Sequence, residues 1–262
     1  MDAIELSIFS SRIESVCDEM GAVLQRAAFS PNIKDRLDFS CAVFDLKGHL
    51  CAQAAHIPVH LGSMAYAMQG IVELFTWNDG DMVVFNDPYL GGTHLPDLTL
   101  VCPVHVGGQL VGFVANRAHH ADIGSATPGS MPLARSLAEE GLVIEPQKLM
   151  RAHQTSAEFE EIMRALGNTI ESTGDFNAQM SANQRGAESL LSIINGIGVL
   201  AYQAGLKQLN EYGDRLMRQL LSELPDGEYC FEDVMDDDGL GASNIEVRLR
   251  LQLEAGQGGA DF

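Results

Sequence analysis

Asp87, His94 and Asp97 fall within the stretch NDPYLGGTHLPDLTL, residues 86–100, beside a double glycine and two prolines. A histidine and an aspartate three apart, with Pro96 fixing a backbone torsion between them, can point into one site with little entropy left to lose. The segment NRAHHADIG, residues 116–124, adds His119, His120 and Asp122 at the end of an apolar run. In an extended chain neighbouring side chains face opposite ways, so only one of these two histidines can share a site with His94 and Asp97. Imidazole and carboxylate without thiolate suit zinc, manganese or iron in an open site, where the ion polarises a substrate or activates water. A hydrogen-bonded polar cluster bracing a turn would use the same residues, and spacing alone leaves the two readings level.

Seven of the eight histidines lie between positions 49 and 120. His49 sits in a turn and His105 near a strand end, where ordinary structural contacts account for them. Asp38, in DRLDFSCAVFD, and His56 and His60, in HIPVH, are polar groups beside apolar strands that could complete or orient the site. The alternatives are a strand-terminal hydrogen bond for Asp38 and turn-stabilising contacts for the two histidines.

Other chemistries lack their residues. There is no GxxxxGK[ST] loop, no GxGxxG opening a helix after a strand and no GxSxG elbow, so no nucleotide site of the chain's own is visible. YLGGTH could cradle an anion on backbone amides, although a glycine pair is more often only a turn. Cys17, Cys41, Cys51, Cys102 and Cys230 are scattered without a CxxC pair, which points to reduced, packed thiols rather than a zinc ribbon or a redox motif.

These residues need a scaffold, and the hydrophobic pattern supplies its outline. Residues 4–28 carry apolar side chains at the spacing of an amphipathic helix that ends near Ser30 and Pro31. Residues 37–62 read as two short strands around a turn at Asp45 to Gly48, followed by a helix over 63–76. DMVVFNDP gives a buried strand stopping at Pro88, and the run from Leu98 to His120 gives two more around Gly107 and Gly108. After a Gly/Pro/Ser loop at 124–132 the pattern turns helical, over roughly 156–167, 175–195 and 197–223. PDGEYCFEDVMDDDG, residues 225–239, reads as a solvated acidic surface or loop. NIEVRLRLQLEA, residues 244–255, alternates strictly and is a strand. GQGGADF then has the shape of a turn and the opening of a further strand, and a hairpin cut there is marginal alone, which suggests a fragment or reliance on other chains.

The expected class is therefore α+β: a β-rich N-terminal part with mixed sheets, a helical middle section and strands again at the C-terminus. The expected regions are 1–130, holding the N-terminal helix and the site, 131–225, helical, and 226–262, strands opening a further β-rich portion. At 262 residues and 46% hydrophobic content a core is assured. A formal charge of -20 disfavours nucleic acid and anionic membrane surfaces as partners. The N-terminus is broken by charges from Asp2 to Glu19, unlike a signal peptide, and no apolar run reaches the roughly 18–20 residues of a membrane span, so a cytoplasmic location is expected.

Six ordered blocks, RLDFSCAVFD, HIPVHLGSM, NDPYLGGTHLPD, NRAHHADIG, EEGLVIEPQKL and DFNAQMSANQRGAESLLSII, together resemble the hydantoinase B/oxoprolinase family. That family includes the B component of N-methylhydantoinase, the C-terminal half of 5-oxoprolinase and the acetone carboxylase α subunit. The resemblance implies a B-type component of an ATP-dependent hydrolase of cyclic amides such as hydantoins, 5-oxoproline and lactams. An A-type partner would bind ATP and phosphorylate the substrate carbonyl in a hetero-oligomer. It further implies a divalent metal, manganese in the acetone carboxylase branch, on positions matching His94, Asp97 and His119. Asp38, His120 and Asp122 would then be catalytic groups, supports behind the ligands or further ligands. The same resemblance allows a component of an ATP-dependent ketone carboxylase, or an assembly partner without turnover. Full members are longer than this chain.

Overall fold

A computed structural model describes residues 1–55, 57, 59–125, 127, 132–254 and 257–261. His56 and most of the 124–132 loop lie outside the described residues. In chain order the elements are α1 (Ala3–Ala27), α2 (Pro31–Lys34), β1 (Phe39–Phe44), β2 (Leu50–Ala55), α3 (His60–Leu74) and β3 (Met82–Phe85). A single 3-10 turn, Pro88–Leu90, leads to β4 (Asp97–Val106) and β5 (Gln109–His119). There follow α4 (Leu137–Glu140), β6 (Gln147–Arg151), β7 (Gln154–Thr155), α5 (Ala157–Ala165), α6 (Ile170–Ile197), α7 (Val199–Ser222), β8 (Gly227–Asp237), β9 (Ser243–Glu254) and β10 (Gln257–Asp261).

The first seven strands form one sheet in the order β2-β1-β5-β4-β3-β6-β7. Its two faces are filled by different means. On one, Met64, Met68 and Ile71 of α3 pack on Ala42, Phe44, Val83, Phe85, Val101, Phe113 and Ala115, every second residue of four strands. On the other, α6 lies across β4 and β5, while α1 packs against α6 and against β1 and β2. The α1 start is fixed by a capping box: the Asp2 carboxylate accepts from the Ile4 and Glu5 amides, and the Glu5 side chain accepts from the Asp2 amide.

The α+β class holds, with one correction within it. Every ladder among the described residues is antiparallel, so the sheets are not mixed. The acidic stretch expected as a solvated surface or loop is a solvated surface: a strand, β8, which pairs with β9 along Gly227 to Asp237 and stays solvent-exposed throughout. Cross-strand charge accounts for that: Glu232 faces Arg248 across the ladder, with Arg248 Nε 3.5 Å from the Glu232 carboxylate. β10 completes a three-stranded sheet on the other edge of β9.

The chain divides into two compact units, Met1–Leu206 and Lys207–Phe262. The expected divide near residue 130 is not such a boundary, because β6 returns after it to pair with β3 and α6 covers the sheet. β6 escaped the pattern because five residues, two of them charged, show no alternation. No single helix among the described residues is long and apolar enough to cross a membrane. All five cysteines are free. Burial holds the Cys17 and Cys102 thiols up to about 12, so they are protonated packing groups.

Candidate metal centre

Three strand ends converge at one edge of the α3-covered face. The His119 amide donates to the Asp38 carbonyl at 3.0 Å and the His120 amide to the Pro96 carbonyl at 2.9 Å, which clamps the end of β5 between the start of β1 and the start of β4. In that ladder Asp97 and His119 are direct partners. His94 reaches the same place through the turn in which the Asp97 amide donates to the His94 carbonyl at 3.1 Å.

The glycine pair serves this turn. Gly91 has φ +91°, and a Cβ there would stand 2.6 Å from the Ala67 Cβ. A Cβ on Gly92 would stand 2.7 Å from the Asp87 carbonyl, to which the Gly92 amide donates at 3.1 Å. That amide is spent inside the loop, so YLGGTH is a turn rather than an anion cradle.

The donor atoms form a nearly equilateral triangle. His94 Nε2 lies 3.1 Å from His119 Nδ1 and 3.2 Å from Asp97 Oδ1, and His119 Nδ1 lies 3.3 Å from Asp97 Oδ1. Donors about 2.1 Å from one ion, at angles between about 90° and 110°, stand about 3.0–3.4 Å apart. Asp97 Oδ1 is buried and has no hydrogen-bond partner among the described residues, despite its two imidazole neighbours. These donors therefore fit a divalent ion held facially by two imidazoles and one carboxylate. Burial alone would push the Asp97 carboxyl up, but His119, His60 and His94 carry it far below the usual carboxylate range. The Asp97 contact in turn holds the His94 imidazole above its ordinary value, against the opposing effect of burial. The Asp97 side chain is 2% exposed, His94 32% and Asp38 24%, so the cluster opens to solvent on the His94 and Asp38 side.

Asp38 joins the cluster, its carboxylate 3.5 Å from His119 Nδ1. His60 is fully buried behind it, with Nε2 3.3 Å from Asp97 Oδ2. His120 points to the opposite face, where Nε2 lies 2.9 Å from Gln179 Oε1, its ring stands edge-on to Phe176, and burial holds it below the usual histidine range. Asp122 accepts from the Gly124 amide at 2.8 Å and is not among the groups whose donor atoms converge.

Sequence reasoning passed over two neighbours. The Thr93 hydroxyl donates to Asp97 Oδ2. Arg117, two residues before His119 and so on the same face, is fully buried and donates to Thr99 Oγ1 (2.7 Å), Ser63 Oγ (2.7 Å) and the Gly91 carbonyl (2.9 Å). Burial lowers its guanidinium to about 10 while the Asp97 charge opposes that shift. The signal was available: a lone arginine inside the apolar run VGFVANRAHH has to find buried acceptors.

Known proteins carry the same frame. A 5-oxoprolinase of Dictyostelium discoideum is 37% identical over 97% of this chain, which spans 21% of that protein. The B component of a putative D-/L-hydantoinase from a Pseudomonas species is 33% identical over 97% of the chain, which spans 45% of it. The crystal structure of an ATP-dependent caprolactamase from Pseudomonas jessenii superposes with a TM-score of 0.92 at 29% identity, covering 99% of this chain and 46% of that one. The profile described as Hydantoinase B/oxoprolinase matches residues 2–262, and the chain belongs to that family.

Proposed function

We propose that this chain is the B-type component of a two-part ATP-dependent cyclic-amide hydrolase, acting on a carbonyl that an A-type partner has phosphorylated. The observation that carries the reading is the donor triangle of His94, Asp97 and His119, with Asp97 Oδ1 lacking a hydrogen-bond partner among the described residues, in a chain whose relatives include a 5-oxoprolinase and a caprolactamase.

A lactam carbonyl resists water because amide resonance must be broken. Phosphorylation of its oxygen removes that resonance and provides a leaving group. Water then adds at the carbon and the C–N bond breaks, which leaves an acyl phosphate, and a second water hydrolyses that to carboxylate and phosphate. A divalent ion on His94, Asp97 and His119 would supply a Lewis acid for this step. The chain's own residues do the rest. Asp97 and His119 fix the site on strand ends, His94 joins them from the turn before β4, and the cluster opens to solvent on the His94 and Asp38 side. Asp38, half-open and beside His119, is placed to take the proton of the attacking water.

The test is lactam-dependent ATP hydrolysis by this chain combined with an A-type partner protein. Turnover that is lost with a chelator and restored by Mn²⁺ or Zn²⁺ supports the reading. ATP hydrolysis that requires bicarbonate would transfer it to a carboxylase, and a folded complex without turnover on any cyclic amide would sink it.

A further inference from the structure

Asp97 is held unsymmetrically. Its Oδ2 has two donors, His60 Nε2 at 3.3 Å and the Thr93 hydroxyl. Its Oδ1 has none among the described residues, although His94 Nε2 and His119 Nδ1 stand 3.2 and 3.3 Å away. His60 is itself held from behind: Nδ1 lies 3.0 Å from Ser40 Oγ, and both residues are fully buried. A carboxylate only accepts, so His60 Nε2 carries the proton that faces Asp97. That leaves Nδ1 as the acceptor for the Ser40 hydroxyl.

We propose that His60 is a positioning residue for the metal ligand Asp97. Ser40 selects its tautomer, and its Nε2–H, with Thr93, pins Oδ2 so that Oδ1 stays turned toward His94 and His119. The proposal rests on the metal reading above and adds to it the device that aims the carboxylate. Outer partners of this kind orient a ligand that would otherwise rotate, and their loss weakens metal binding.

Two other readings of the same atoms fail on the geometry. Ser40, His60 and Asp97 have the connectivity of a nucleophilic triad, but a fully buried Ser40 whose proton is committed to His60 meets no substrate. Asp38, His60 and Asp97 also bring donor atoms within 4.8 Å of one another, as for a second ion bridged by Asp97. His60 Nε2 meets Oδ2 at 3.3 Å in hydrogen-bond geometry, whereas His94 Nε2 and His119 Nδ1, at 3.2 and 3.3 Å, make no hydrogen bond to Oδ1 among the described residues, so His60 is a donor to Asp97 rather than a ligand beside it.

The experiment is Zn²⁺ titration against a competing chromophoric chelator, on wild type, His60→Gln and His60→Leu, each shown to be folded by circular dichroism. Glutamine can place an amide N–H where Nε2–H stands; leucine cannot. The expected result is one ion per chain, an affinity about 10–100-fold lower in His60→Leu, and recovery close to wild type in His60→Gln. Equal loss in both variants, no loss in either, or two ions in wild type falling to one would each overturn the proposal. Wild type that binds no ion overturns the metal reading itself, an outcome visible before any variant is compared. If His60→Leu does not fold, Ser40→Ala takes its place, with a smaller loss of affinity expected and an unchanged affinity counting against the proposal.

Discussion

Asp97 and His119 are direct partners in the β4–β5 ladder, and this pairing inside the sheet also brings Oδ1 to 3.3 Å from Nδ1. A site written into strand register cannot slip without turning Asp97 to the other face. Asp97→Asn keeps the shape and removes the charge. Its Zn²⁺ affinity should fall by more than the about 100-fold that marks the upper end for an outer partner, with the far-ultraviolet spectrum intact. Affinity equal to wild type would reduce the triangle to a hydrogen-bonded cluster.

Gly91 ties the same turn to the core from below. Its positive φ and the 2.6 Å approach to Ala67 leave no room for a side chain, and its carbonyl is held by Arg117. Gly91→Ala should cost about 1–3 kcal/mol in backbone strain. Because the displaced segment carries His94, metal affinity should fall as well. Chemical denaturation with a parallel Zn²⁺ titration checks both effects, and a variant with unchanged midpoint and affinity would show that the turn tolerates a Cβ.

Much of this was legible in the sequence, for identifiable reasons. The His94-Pro96-Asp97 spacing and the alternation through His119 and His120 are local, so the divergence of the two histidines follows from strand geometry alone. The first helix and the hairpin strands from Phe39 to His119 follow from apolar periodicity that the observed burial repeats. What sequence could not supply were contacts between distant segments. His60 meets Asp97 only because α3 covers the sheet, and Arg117 finds Gly91 only because β5 runs beside β4.

The opposite face of the sheet depends on a buried amide. Gln179 Nε2 donates to the Leu98 carbonyl at 2.9 Å and to Asn116 Oδ1 at 2.8 Å, and Oε1 meets His120 Nε2 at 2.9 Å. His120 Nδ1 has no partner among the described residues, so Gln179 is the polar contact shown for that ring. Gln179→Leu strands several buried groups, each worth about 1–3 kcal/mol, and should lower stability by about 2–5 kcal/mol in urea unfolding. Zn²⁺ affinity of the folded variant should stay near wild type, because the network and the triangle lie on different faces. A large affinity loss without a stability change would contradict that separation.

Lys148 anchors β6 to the sheet by charge. Its ammonium donates to Asp81 Oδ2 and to the Thr76 carbonyl at 2.6 and 2.8 Å, in a pair only 11% and 3% exposed. Burial by itself would raise the Asp81 carboxyl, but Lys148 and the Asn78 amide hold it below the usual range. A depressed folded value means the carboxyl binds its proton more readily in the unfolded chain. Its contribution is therefore fully present above about pH 4, the ordinary carboxylate value, and is lost as pH falls through the folded value. Lys148→Met leaves the buried carboxylate unpaired and should cost about 3 kcal/mol near neutral pH. With the ammonium gone, burial opposes only the Asn78 and Ala152 backbone contacts, so the acid-side loss should shrink. Urea midpoints from pH 6 down to pH 3 should therefore start apart and converge, and parallel curves would show that the ion pair does not set this part of the acid sensitivity.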